Sequence, residues 1–180
     1  MGQSFDKLNS SHYQFISNQK IFFVATAPKV GRVNLSPKGM DCFRIIDDHT
    51  VLYLDVTGSS NETSAHIHDD GRVTMMFCSF DDKALILRLY GKGEVIQKKE
   101  DRWEKLLLLF PQYPGVRQII LLHVESIRES CGASIPFYDY RGERDELLNW
   151  LDNKGDKGII DYQRINNIKS IDGHDTGLNV

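Results

Sequence analysis

The 180-residue sequence has few cysteines: Cys42, Cys78 and Cys131 lie far apart and never form a C-x-x-C pair. That spacing argues against a disulfide framework and against a zinc site, and for buried thiols. Positive charge is also short, with 22 Lys+Arg against 25 Asp+Glu and a formal net charge of -3. A chain with no basic excess has little to neutralise a phosphate backbone, so nucleic acid is not expected as a partner. Long hydrophobic runs are missing. The longest, "LLLLF" and "IILLHV", fall far short of a bilayer, and the N-terminal "MGQSFDKLNSSHYQF" lacks the basic-then-apolar form of a signal peptide. The expectation is a cytoplasmic protein without a membrane span. Nor is there an obvious catalytic triad, a metal cluster or a glycine-rich G-x-G-x-x-G loop.

With 41% hydrophobic residues, the chain is long enough for one full core and too short for two generous ones, so residues 1–180 read as a single domain. Residues 5–18 read as a short helix. The runs "KIFFVATA", "RVNL", "CFRII", "TVLYLDV", "RVTMMF" and "ALILRLYGKGEVI" are rich in aromatic and β-branched residues and read as strands. Asp47-Asp48 and Asp81-Asp82 are turn chemistry suited to hairpin links. One short helix interrupts the meander at "SSNETSAHIHDDG", where Ser59 and Glu62 match a capping box and Gly71 can act as the stop. Farther on, "KEDRWEKLLLLF" reads as an acid-capped helix, "VRQIILLHV" as a strand, and "GERDELLNWLDNKG" with "GIIDYQRIN" as a helical tail. The predicted class is mainly β: a six-stranded antiparallel split barrel over about residues 19–125, with flanking helices and a helical tail over about 140–170.

Two polar clusters carry what chemistry the sequence offers. In the first, Asn34, Ser36, Pro37, Lys38, Gly39 and Met40 end a strand in a turn, exposing backbone amides beside a flexible ammonium. Such a turn suits a phosphate or a carbonyl-rich ring, and an ordinary surface turn accounts for it equally well. In the second, Gly58 to Thr63 opens a helix directly after a strand, where free amides and the helix dipole favour an anion. Glu62 can instead hold those amides itself. Arg88, in "LILRLY", reads as a partly buried guanidinium in need of an acidic partner or a phosphate. His66 and His68 are two apart on a helix, share no face, and read as solvated. Trp103 and Trp150 read as core.

The order of these pieces along residues 20–96, "FFVATA", "VNLSPKG", "FRIIDDHTVLYLDVTGSSNETSAHI", "GRVTMMF" and "LRLYGKGEV", resembles the pyridoxamine 5'-phosphate oxidase-like family of FMN-binding split barrels. The later "GVRQIILLHVESIRESCGASIPFY" resembles the extended tail of one subgroup. The resemblance implies a homodimer with FMN held in clefts between subunits. It implies that Ser36, Pro37, Lys38, Gly39 and Met40 line the flavin, with Asn34 beside them, and that Asn61, Glu62 and Thr63 stand at the helix start near the phosphate. It further implies Arg88 on a strand facing the same cleft, and Arg44 as a secondary basic candidate. The redox chemistry would then be the flavin's, and no side chain need be a strong acid or base.

Two departures from the family pattern bear on the substrate. Where the oxidases proper carry a basic pair at the helix start, this chain has Glu62 and Thr63, which leaves Lys38, Arg44 and Arg88 to meet the phosphate. Nothing in "SIDGHDTGLNV" resembles the Arg-Leu-His-Asp-Arg segment that shapes the oxidase substrate site. Oxidation of pyridoxamine phosphate is therefore not expected. The leading expectation is a flavin-dependent oxidoreductase with an unassigned substrate. A flavin carrier or sensor without turnover, a vitamin B6 phosphate oxidase, and a haem-handling protein using His123 are the alternatives.

Overall fold

A computed structural model describes residues 2–180 of the chain. In chain order the elements are β1 (Gln3–Phe5), α1 (Ser10–Asn18), β2 (Phe22–Thr26), β3 (Asn34–Lys38), β4 (Phe43–Asp47), β5 (Thr50–Val56), α2 (Glu62–Asp69), β6 (Arg72–Cys78), β7 (Leu85–Ile96), α3 (Trp103–Leu107), β8 (Val116–Cys131) and α4 (Glu146–Asn166). Seven strands form one antiparallel sheet in the order β3-β2-β6-β7-β8-β5-β4, and β1 adds to β8 off that path. The expected mainly-β split barrel is what folds, with eight strands rather than six.

The sheet curls until its two ends share a core. Phe22 from β2 meets Phe43 from β4 with ring centroids 5.1 Å apart, although four strands separate β2 from β4 in the sheet order. Phe77 from β6 stacks on Phe22 at 5.5 Å, and Tyr53 from β5 closes the cluster at 5.7 Å. Burying these rings is the main stabilising term of the barrel, since each aromatic removes a large apolar area from water. No ladder joins β3 to β4, so the barrel is split there.

Long pairing needs curvature, and glycine provides it. The β7–β8 ladder shifts register between Tyr90 and Gly91, and a Cβ on Gly91 would collide with the His123 carbonyl. A bulge at that point therefore requires a residue without a side chain.

Several local readings are corrected. The segment read as a helix over 5–18 is β1 followed by α1, because Phe5 pairs opposite Ile127 on β8 and a tertiary ladder overrides the local pattern. Pro37 lies within β3, opposite Phe23, rather than in a turn after it. β3 is the sheet edge, where the missing N–H of proline costs no ladder bond. The helix after residue 58 starts at Glu62 with Asn61 as N-cap and no side-chain capping bond, so the Ser59–Glu62 box does not form. Gly71 does stop that helix, with φ at +82° and its N–H on the His66 carbonyl. α3 is only five residues long. Its leucine run unwinds through i→i−3 bonds at Leu109 and Phe110 ahead of Pro111, a residue that disfavours helix before it. Trp103 is core, whereas Trp150 is half-buried and packs edge-on against Tyr162 at 4.9 Å. α4 contains a break at Gly155, whose φ is +63°.

Candidate functional site

The split in the barrel is bridged by charge. Lys38 at the end of β3 donates to Asp55 of β5 across 3.0 Å, and the Arg117 Nε of β8 donates to the other carboxylate oxygen at 2.7 Å. Gln118 Nε2 adds a third bond to Asp55, at 2.9 Å, and a bond of 2.7 Å to the Asn61 carboxamide oxygen. Asp55 and Arg117 are both buried. Burial alone would raise the Asp55 pKa, but the charges of Arg117 and Lys38 outweigh it and hold the carboxyl well below its usual range. Burial likewise opposes the Lys38 charge, and Asp55 overcomes it, so the ammonium titrates above its ordinary value. The cluster is thus two cations on one carboxylate, with one positive charge in excess.

That excess is accompanied by unmet polar atoms. Arg117 Nη1, Gln118 Oε1, Asn167 Oδ1 and Tyr53 OH are buried without a hydrogen-bond partner. Buried polar groups are ordinarily paired, and four orphans belonging to or adjoining one network mark a place where a polar ligand or water is wanted.

A cavity of about 300 Å³ opens over this network. Its walls are the end of β3 with the corner after it (residues 36–40), the Gly58-Ser59-Ser60 turn before α2, and Leu147 at the start of α4, with Asp55 and Arg117 at its floor. The two polar clusters of the sequence therefore face one another. Asn34 links them a second time, donating to Thr63 Oγ1 at 3.4 Å while its carboxamide oxygen accepts from Ser36 Oγ at 3.1 Å.

The other candidates are placed differently. Asn61 is buried behind the cavity, held between Gln118 and the Asn167 carbonyl. Thr63 is buried beside it. Glu62 is turned to the C-terminal segment, where both carboxylate oxygens accept from the Ile171 N–H at 3.0 and 3.2 Å. Arg44 is bound to Asp41 and to the Leu109 carbonyl and does not reach the cavity. Arg88 shares a register row with Met76, Phe23 and Pro37, on the sheet face opposite that of Lys38, and its partner is the Ser130 hydroxyl at 3.0 Å rather than an acid. It does not line the cavity. His66, read as solvated, is buried with its Nδ1 on Thr26 Oγ1 at 2.9 Å, because the C-terminal segment covers α2. His123 is exposed and hydrogen-bonded to Glu94 at 3.3 Å. Among the described residues no group of three or more His, Cys, Asp or Glu could hold a metal ion, and no helix is long and apolar enough to cross a membrane.

Asp55 and Arg117 were missing from the sequence reading. Each is a lone charge in an apolar strand run, "VLYLDV" and "VRQIILL", and such a charge is buried only when paired. That signal pointed to a pair.

Residues 8–131 match the family described as Pyridoxamine 5'-phosphate oxidase. The chain belongs to the pyridoxamine 5'-phosphate oxidase family. The pyridoxamine 5'-phosphate oxidase family protein ustO of Aspergillus flavus is 31% identical to it over 189 residues, covering 94% of this chain and 75% of the relative. Among solved structures, HupZ of Group A Streptococcus is similar at 26% identity and a TM-score of 0.55, covering 67% of this chain and 91% of its own. A Lactobacillus delbrueckii protein provisionally called a pyridoxamine 5'-phosphate oxidase superposes with a TM-score of 0.57 at 21% identity, covering 68% and 94%, and shares the fold. In this pyridoxamine 5'-phosphate oxidase family member, the Asp55–Arg117 floor and the two facing turns all lie within or beside the matched segment, and Leu147 and Asn167 are added by the chain beyond it.

Proposed function

We propose that the chain is an FMN-binding flavoprotein, a flavin-dependent oxidoreductase that works as a homodimer with FMN at the subunit interface. The observation that carries this reading is buried Arg117, whose Nη1 lacks a partner and whose side chain lines a cavity walled by the end of β3 and the Gly58-Ser59-Ser60 turn. A phosphate supplies the acceptors that donor lacks, and it meets the single excess positive charge of the Lys38–Asp55–Arg117 cluster. The residues present therefore fit an anionic cofactor. When bound, the flavin supplies the electron-transfer chemistry. The chain's own groups hold and orient it: Arg117 and Lys38 attract the anion, Ser59 and Ser60 offer hydroxyls, and Gly39 lines the cavity after β3.

The dimer has its own support. The outer row of Pro37, Phe23 and Met76 is incompletely buried, and Leu35 beside it is 63% exposed. A second copy of the chain would cover such an apolar face.

The test is a titration of the purified protein with FMN, followed by flavin absorbance and fluorescence, with the mass in solution from light scattering. Stoichiometric uptake of one FMN per chain in a dimer is expected. A protein that binds no FMN, or a monomer with FMN bound, overturns the corresponding half. Reduction of the bound flavin by a nicotinamide donor separates an oxidoreductase from a carrier.

A further inference from the structure

A groove of about 930 Å³ adjoins the small cavity and shares Gly39, Met40 and Leu147 with it. One wall is the corner at Lys20 and Ile21 before β2. The other is the irregular segment between β8 and α4, which carries Tyr138 and Tyr140. Neither tyrosine is in the core: they are 68% and 55% exposed. Both are nevertheless held in place. Tyr138 packs edge-on against Phe80 at 5.4 Å while its N–H bonds the Phe80 carbonyl. The Tyr140 hydroxyl donates to Glu143 at 2.7 Å, and the other oxygen of that carboxylate accepts from the Met40 N–H at 3.2 Å.

Met40 is the one non-glycine residue with positive φ, at +67°, among those described. A side chain is strained in that conformation, and the strain persists only where surroundings impose it. Here the Cys42 N–H bonds the Met40 carbonyl, and Glu143 accepts from the Met40 N–H with the same carboxylate that accepts from Tyr140. An aromatic wall is thus tied to the rim of the anion cavity by one residue.

Around the groove Lys20, Arg141 and Arg144 formally balance Asp81, Asp139 and Glu143, and Arg144 is paired with Glu146. Glu143 is taken up as described, and Asp81 accepts from the Ser79 hydroxyl and the Lys83 N–H. Lys20 has no carboxylate within ion-pair distance among the described residues, and its ammonium lies over the Tyr140 ring, 5.7 Å from its centre. A cation over one face of a ring, with no carboxylate paired to it, leaves a positive charge beside an aromatic wall, which favours a flat ligand that carries a negative group.

We propose that this groove is the substrate site, and that it takes a planar aromatic or conjugated carboxylate, with Tyr138 and Tyr140 against its face and Lys20 at its charge. Glu143 is a positioning residue that holds Tyr140 and Met40 in register. The proposal deepens the flavin reading and rests on it for the word substrate; the binding site itself stands on the groove.

The experiment is calorimetric titration of the full chain with 2-naphthoate, with the neutral 2-naphthalenemethanol and with the non-planar cyclohexanecarboxylate, each with and without FMN. The expected order is naphthoate, then naphthalenemethanol, then cyclohexanecarboxylate. Tyr140→Ala weakens both naphthyl compounds about fivefold. Lys20→Ala weakens naphthoate alone, by about threefold, to the level of the alcohol. Tyr140→Phe, which keeps the ring, retains naphthoate binding. All three variants keep the FMN affinity of the parent, which also reports that they are folded. Equal binding of cyclohexanecarboxylate, or naphthoate binding that neither substitution changes, overturns the proposal. If the parent chain takes up no FMN, the flavin reading falls, and the titration without FMN still decides the groove. If FMN binds and naphthoate does not, the groove proposal falls alone.

Discussion

Arg117 donates its Nε–H to Asp55 at 2.7 Å from a position only 5% exposed, and the carboxylate it meets is 3% exposed. A guanidinium this far from water has two requirements, a counter-charge and acceptors for its remaining N–H groups. The first is met by Asp55, and at Nη1 the second is not.

Removing the counter-charge leaves Arg117 and Lys38 confronting each other without an anion between them. Asp55→Ala is expected to lower the unfolding free energy by about 3–5 kcal/mol, the range for breaking a buried pair from one side. Lys38→Met costs less, because that side chain is 23% exposed and water already screens it. Urea unfolding followed by tryptophan fluorescence measures both. A loss below about 1 kcal/mol for Asp55→Ala contradicts the network as described.

The three thiols are expected to separate by reactivity. Cys42 is buried and its thiol is pushed up to about 12, mainly by burial. Cys78 is also buried and its thiol is raised for the same reason, whereas Cys131 is exposed. Since the thiolate is the nucleophile, Cys131 alone should react with an aromatic disulfide reagent near pH 8 in the folded protein, with the others reacting on denaturation. Rapid reaction of more than one thiol in the native state would contradict the burial of Cys42 or Cys78.

Acid should destabilise the N-terminal helix through His12. Its Nδ1 accepts the Asn9 N–H at 3.2 Å, closing the capping box of α1, and its Nε2 faces Glu129 at 3.1 Å. A proton on Nδ1 would oppose the Asn9 N–H. Burial depresses the His12 pKa below its ordinary value of 6.5, with the nearby Lys83 adding to the effect and Glu129 opposing it. A histidine with a depressed folded pKa binds its proton more readily when unfolded, so its contribution is fully present above pH about 6.5 and fades as pH falls through and below that value. His66, buried and likewise depressed, adds a slope of the same sign. His12→Gln keeps an acceptor at the third helical position and has nothing to titrate. The difference in unfolding free energy between parent and variant, followed from pH 8 to 5, should change in favour of His12→Gln on acidification. A difference independent of pH would place the His12 proton elsewhere.

What could be read from the sequence follows from how local each signal is. β5 at Thr50–Val56 and β6 at Arg72–Cys78 were legible because β-branched and aromatic residues mark them within their own span. β1 was not, since three residues become a strand only through Ile127 and its neighbours more than a hundred positions away. Pro37 misled for a related reason: its turn preference is local, while its tolerance in an edge strand depends on the sheet order. At the site, the corner at 36–40 and the turn at 58–60 were legible as polar punctuation between apolar runs. Which cation served them was not. Arg44, Arg88 and Arg117 all lie in strands, and only the register of the pairs decides which face each occupies.

The choice among those cations sets up the last prediction. A cation paired with phosphate contributes to FMN binding and contributes nothing to riboflavin, which has no phosphate, so the ratio of the two affinities isolates the anion site. Arg117→Lys keeps a charge opposite Asp55 but gives up the planar guanidinium and with it the free Nη1 donor. It is expected to reduce the preference for FMN over riboflavin by about tenfold to a hundredfold, as for losing a hydrogen bond to a charged group worth about 1.5–3 kcal/mol. Arg44→Ala and Arg88→Ala should leave that ratio unchanged within about twofold, because Arg44 is held by Asp41 and Arg88 lies on the opposite sheet face bonded to Ser130. Quenching of flavin fluorescence on titration with each variant gives both affinities from folded protein only. A preference that survives Arg117→Lys and disappears with Arg88→Ala would move the phosphate to the outer sheet face, where a partner subunit rather than the barrel's own floor would meet it.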